Sequence, residues 1–104
     1  MTKFIYAVDF DGTLVENKHP KIGRIKKNTV NYIKQLKKEQ NYIILWTCRH
    51  GKYLKNALKW CNKHKIFFDA INNNLNITIK KYNHNSRKIY ADYYIDDKNL
   101  IMKG

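Results

Sequence analysis

Four short stretches of this chain are apolar almost without a break: Phe4 to Val8, Tyr42 to Trp46, Phe67 to Ile71 and Tyr93 to Ile95. A strand with one wet face alternates apolar and polar residues. Unbroken runs of this length therefore predict strands covered on both faces, as in a parallel sheet held between helices. Between the second and third runs, Leu54, Ala57, Leu58 and Cys61 recur at i, i+3, i+4, i+7, which predicts a helix with one face on the sheet. Between the first and second, Val30, Ile33 and Leu36 recur at three-residue spacing, with Asn28 and Thr29 as candidate N-caps of a second helix. Strand, helix, strand, helix, strand is the order of right-handed βαβ crossovers, so the chain is expected to form a small open α/β sheet. Residues 71–85 (INNNLNITIKKYNHN) keep neither period and are expected to be a loop or a small hairpin. Pro20 and Gly23 mark a loop rather than a domain boundary.

With 104 residues the expectation is one domain over 1–104, enough for a single core. Twenty-one Lys and Arg stand against eight Asp and Glu, a formal charge of +13. Such an excess suits an anionic partner, whether a phosphate ester, a nucleotide or a nucleic acid. A Lys-rich, Asn-rich and Ile-rich composition also follows from an AT-rich genome, and the Lys residues are spread along the chain instead of forming one block. Cys48 and Cys61 lack CxxC spacing and are expected to be reduced thiols. The first apolar run has only Lys3 before it, is too short to span a bilayer and lacks a small-residue cleavage site. The expected location is the cytoplasm, with no membrane partner.

Against this basic background, acids gather at two strand ends. Asp9 and Asp11 follow the first run and Asp96 and Asp97 follow the last, which is half of the chain's eight acids. In open α/β sheets the ligand site lies beyond the carboxyl ends of the strands. Two like charges ~4 Å apart repel by about 4 kcal/mol at an effective dielectric near 20, so four carboxylates in one place call for protons or a cation. Oxygen-only donors favour Mg²⁺ over zinc. Taken singly, "DG" reads as an ordinary turn and "DDK" as a solvated strand end.

These residues carry a family resemblance. The chain resembles the haloacid dehalogenase (HAD) superfamily of phosphotransferases: "DFDGT" (9–13) is similar to its nucleophile loop, Thr47 in "ILWTCR" to its Ser/Thr motif, Lys88 in "SRK" to its Lys, and Asp96 and Asp97 to its acidic motif. More narrowly it resembles a group of very small, capless HAD-like hydrolases of bacteria and phages. The fold this implies is a three-layer, Rossmann-like open parallel sheet without a cap domain. The resemblance implies that Asp9 is the nucleophile and that Asp11 is a general acid and then base. Asp11 points to phosphatase or mutase chemistry, since dehalogenases lack it and transport ATPases carry Thr there. It further implies that Mg²⁺ is held by Asp9, the carbonyl of Asp11, Asp96 and Asp97, while Thr47 and Lys88 bind the phosphoryl group.

Backbone N–H groups around Phe10, Gly12 and Thr13 would complete the anion cradle. Arg49 and His50 follow Thr47 closely enough to contact substrate, although a loop Arg is equally at home in solvent. His19, His64 and His84 share no metal-ligand spacing and read as surface residues, and Trp46 and Trp60 as packing, with Trp46 in the core and Trp60 beside it. Without a cap the site is open and admits water unless residues 15–23, residues 72–85 or a second subunit in a homo-oligomer cover it. The expected activity is a Mg²⁺-dependent phosphatase acting on a phosphorylated small molecule or nucleotide. Two alternatives are a scaffold that sequesters a phosphorylated ligand without cleaving it and a phosphatase of nucleic-acid ends.

Overall fold

The structure is a computed structural model that describes residues 3–100. The expected domain span, 1–104, includes residues 1–2 and 101–104, which lie outside the described residues. Four strands, β1 (Ile5–Val8), β2 (Tyr42–Leu45), β3 (Ala70–Ile71) and β4 (Tyr93–Ile95), form one parallel sheet in the order β3-β2-β1-β4. Helices α1 (Lys27–Lys38), α2 (Gly51–Lys63) and α3 (Asn76–Tyr82) lie in the connections.

Alternate residues of the two central strands feed two cores. Val8, Ile43 and Leu45 pack with Val30, Ile33 and Leu36 of α1 and with Ala57 and Cys61 of α2. Ile5, Ala7 and Ile44 pack on the other face with Leu75 and Ile89. Leu75 is the N-cap of α3 and Ile89 lies in the segment after it, so the stretch that carries α3 covers the face opposite α1 and α2. The expected α/β architecture is therefore present, and no cap lies among the described residues. No helix among them is long and apolar enough to cross a membrane.

Four local expectations are corrected. Burial on both faces holds for β1 and β2 but not for the edge strands: Tyr93 and Tyr94 of β4 are exposed, as are Phe67 and Ile71. Tyr93 instead stacks on Tyr6, its partner across the β1–β4 pair, at 5.1 Å and meets Phe4 edge-on at 5.6 Å. The third strand shrinks to two residues because Asp69 takes over the ladder before it. Its N–H donates to the Ile43 carbonyl (2.7 Å), and its side-chain Oδ2 accepts from the Ile43 N–H (2.8 Å), where a carbonyl would stand in a regular strand.

The stretch expected as a loop or hairpin contains α3. Its β-branched Ile77, Thr78 and Ile79 weaken the helical preference, and its start at Leu75 has no side-chain cap. The N-terminus of α1 also differs. Asn28 and Thr29 lie within the first turn, and Lys26 occupies the N-cap without a side-chain hydrogen bond.

Cys48 and Cys61 are free thiols, exposed and buried respectively; burial pushes the Cys61 thiol up to about 12, so it packs without reacting. His19 and His84 are exposed, whereas His64 is half-buried against Trp60, with ring centroids 4.1 Å apart.

Candidate active site

Parallel pairing in register explains how the distant acids meet. Val8 of β1 stands opposite Ile95 of β4, and the Asp9 N–H donates to the Ile95 carbonyl at 3.1 Å. The next residue on each strand is an aspartate, so Asp9 and Asp96 leave the sheet side by side. Carboxylate oxygens of Asp9, Asp96 and Asp97 lie within 4.8 Å of one another. An octahedral Mg²⁺ with oxygens at about 2.1 Å holds them roughly 3 to 4 Å apart, so these three can close on one ion with small movements. The donor set is all carboxylate oxygen, without His or Cys, which fits Mg²⁺. Asp11 contributes no carboxylate oxygen to this group, but its carbonyl accepts no hydrogen bond from the described residues and stays available.

Uncompensated charge is visible at Asp9. Its carboxyl is pushed up to about 6: burial raises it most, the Phe10 N–H, 2.8 Å from Oδ1, pulls the other way, and Asp96, Asp97 and Asp11 add to the rise. Asp9 and Asp96 also line a cavity of about 360 Å³ whose wall includes Lys88, Trp46, Tyr94 and Asn99. Trp46 is thus only partly a core residue, since it packs beside the Ile44 cluster and borders this cavity. Trp60 flanks the other core, edge-on to Phe10 at 5.6 Å.

The loop of residues 9–13 turns sharply at Gly12, whose φ of +89° is in the region that favours glycine. A Cβ there would stand 2.2 Å from Asp97 Oδ2, so the missing side chain is what lets Asp97 reach Asp9. Gly12→Ala is expected to expel the Asp97 carboxylate and weaken Mg²⁺ binding at least about tenfold, on top of about 1 kcal/mol or more of backbone strain. Isothermal titration with Mg²⁺ and a melting curve check both.

The expected backbone cradle is largely occupied. The N–H of Phe10 goes to Asp9, that of Gly12 to the Val15 carbonyl (2.8 Å) and that of Thr13 to the Phe10 carbonyl (3.2 Å), leaving only Asp11's without a partner among the described residues. The Phe10 side chain is fully buried in the core and offers a substrate nothing. The Thr13 hydroxyl is buried without a hydrogen-bond partner among the described residues. Thr47 does not line the cavity: its hydroxyl accepts from the Arg49 N–H at 3.1 Å, and its N–H donates to Asn72 Oδ1 at 2.8 Å.

Arg49 is the largest correction. It is not poised toward substrate but 2% exposed, with all five of its N–H donors used. Nε donates to Asp11 Oδ2 (2.7 Å) and Nη2 to Asp11 Oδ1 (2.8 Å), a bidentate pair. The remaining donors go to the carbonyls of Pro20 (3.2 Å), Lys21 (2.9 Å) and Tyr53 (3.2 Å). Arg49 therefore ties Asp11 to the 15–23 loop and to the first turn of α2, and its guanidinium lies 5.1 Å from the Phe10 ring centroid.

Two further residues escaped the sequence reading. Lys26 Nζ donates to the Gly12 carbonyl at 2.9 Å, bracing the loop that carries Asp9 and Asp11, and nothing distinguishes it among so many lysines. Asn74, buried, holds the segment that presents Lys88: its Nδ2 donates to Asn85 Oδ1 (3.0 Å) and the Ser86 carbonyl (3.1 Å), and its Oδ1 accepts from the Tyr90 N–H (2.6 Å). The run Asn72 to Asn74 was the available signal, because an amide that both donates and accepts suits the bracing of loops.

A family model for haloacid dehalogenase-like hydrolases matches residues 6–102. No curated protein matches the chain. A solved structure of a conserved protein from Bacteroides thetaiotaomicron is 37% identical, covers 95% of this chain and 79% of its own, and superposes with a TM-score of 0.85. With a nucleophile-type loop at the end of β1, acids from the end of β4 beside it and a family match over nearly the whole length, the chain belongs to the haloacid dehalogenase-like hydrolases.

Proposed function

We propose that this hydrolase is a Mg²⁺-dependent phosphomonoesterase that works through Asp9. The observation that carries the reading is the convergence of Asp9, Asp96 and Asp97 in and beside the cavity that also exposes Lys88. Asp9 attacks phosphorus, its Oδ–P bond forming as the ester P–O bond breaks, and Asp11 gives the leaving oxygen a proton. Water then attacks the phosphorus of the aspartyl phosphate, its O–P bond forming as the Asp9 Oδ–P bond breaks, and passes a proton back to Asp11 as inorganic phosphate leaves. Arg49 occupies one lone pair on each Asp11 oxygen, which leaves the carboxyl fixed in direction but with lone pairs free for that proton. Lys88 binds the phosphoryl oxygens and balances the charge on Asp9. When bound, Mg²⁺ would offset the repulsion between Asp9 and the incoming phosphate, held by Asp9, Asp96, Asp97 and the Asp11 carbonyl.

Phosphate release from a panel of phosphomonoesters, with Mg²⁺ and with chelator, tests the reading; Mg²⁺-dependent turnover of any of them supports it. If a ligand instead returns intact after incubation and heat denaturation, the protein sequesters and does not cleave.

Protons and Mg²⁺ compete at Asp9. Its folded-state pKa near 6 lies above the ordinary 3.8, so the metal-free fold holds the proton that the unfolded chain loses. Stability of the metal-free protein contributed by Asp9 is therefore full below about pH 4 and falls as pH rises through about 6. Mg²⁺ removes that loss only where Asp9 is ionised. The rise in melting temperature on adding Mg²⁺ is expected to be several degrees larger at pH 7.5 than at pH 5. In Asp9→Asn protein the two rises should be alike.

A further inference from the structure

A second cleft, of about 450 Å³, opens between α3 and the segment that follows it, lined by Tyr82, Tyr90 and Tyr94 together with His84, Ser86 and Lys88. The three rings are 57%, 45% and 38% exposed, a concentration of wet aromatic surface that folding does not require. Two of them are held in place: the Tyr94 hydroxyl donates to the Ile89 carbonyl and the Tyr90 hydroxyl to Asp92 at 3.1 Å. Tyr82 and Tyr90 stand 6.3 Å apart at 46°, so neither ring covers the other face to face. Rigid tyrosines offer contact area at low entropic expense. No acidic side chain lines the cleft, whereas Lys88 and His84 do.

The cleft adjoins the cavity at Asp9. Lys88, Ile89 and Tyr94 line both, so Lys88 stands where the two meet. A ligand reaching from one to the other would present an anion to Lys88 and Asp9's neighbourhood and a flat, apolar-faced group to the tyrosines. A sugar phosphate uses only the first of these features; a nucleotide uses both. The chain's net charge of +13 favours the same anionic class.

We propose that the tyrosine cleft is a nucleobase subsite and that the substrate is a nucleoside monophosphate, its phosphate at Asp9 and its base against Tyr82 and Tyr90. This rests on the phosphomonoesterase reading above. The test is calorimetric titration of Asp9→Asn protein, which cannot turn over, with AMP and with ribose 5-phosphate in the presence of Mg²⁺. AMP is expected to bind about tenfold or more tighter. That gap should close to less than about threefold in the Tyr82→Ala/Tyr90→Ala variant and persist in Tyr82→Phe/Tyr90→Phe, which keeps the rings. Equal affinities for the two ligands, or a gap that survives the alanine substitutions, overturns the subsite while leaving the phosphate site standing. Failure of both ligands to bind overturns the phosphate site and the subsite with it. A 5′-phosphorylated oligonucleotide binding far tighter than AMP would overturn the assignment to a mononucleotide.

Discussion

Asp9→Asn protein is expected to release no measurable phosphate from p-nitrophenyl phosphate at saturating Mg²⁺, a fall of about 10⁵-fold or more. The size follows from the task, since uncatalysed hydrolysis of a phosphate monoester can need roughly 10²¹-fold acceleration, and a site without its nucleophile cannot form the covalent intermediate. The same substitution should raise the melting temperature of the metal-free protein. The Asp9 carboxylate is desolvated and faces Asp96, Asp97 and Asp11, and Asn removes that charge while keeping an oxygen for the Phe10 N–H. Dead and more stable is a combination that misfolding cannot imitate. A phosphate-release assay and a calorimetric scan read the two effects, and undiminished turnover would refute Asp9 as nucleophile.

Arg49→Ala should have the largest effect on stability. It leaves Asp11, with 14% of its side chain exposed, without its cation, and three carbonyls without their donor. Removing one partner from a buried ion pair destabilises by about 3 to 5 kcal/mol. For a domain of this size that is roughly 15 to 30 °C in melting temperature. Arg49→Lys keeps the charge but has three donors on one nitrogen in place of a planar fork, so it cannot serve Asp11 and the Pro20, Lys21 and Tyr53 carbonyls together. It should fold, with kcat reduced about 10²-fold and KM little changed, because the direction of the Asp11 proton is spoiled while the phosphate site is left intact. A loss carried in KM instead would put Arg49 on the substrate.

How much of this the sequence discloses depends on whether a feature is local. β1 and β2 were readable because both of their faces are covered, which leaves unbroken apolar runs. β3 and β4 have similar composition but stand at the edges, and an apolar run does not say which strand ends up outside. The α2 stripe of Leu54, Ala57, Leu58 and Cys61 was readable because one helical face meets one sheet. α3 was not, since seven residues with three β-branched side chains and no cap leave no periodic signature.

At the site, the meeting of Asp9 with Asp96 follows from position alone: each ends a strand, and adjacent parallel strands in register bring their ends together. The pairing of Arg49 with Asp11 spans 38 residues and depends on where two loops return, which no spacing encodes. The engagement of the Phe10, Gly12 and Thr13 N–H groups within their own turn likewise needs the folded backbone. Lys26 and Asn74 brace the loops from residues that look ordinary in a sequence crowded with Lys and Asn.

The central claim is that acids from opposite ends of the chain share one dication and that Asp9 takes the phosphoryl group. A crystal structure of the protein with Mg²⁺ and beryllofluoride, a phosphoryl mimic that attaches to carboxylate oxygen, tests both halves at once. The account predicts beryllofluoride on an Asp9 oxygen, with one Mg²⁺ bound by Asp9 and Asp96 beside it. Mimic or metal elsewhere, with Asp9 and Asp96 sharing no ion, would contradict it.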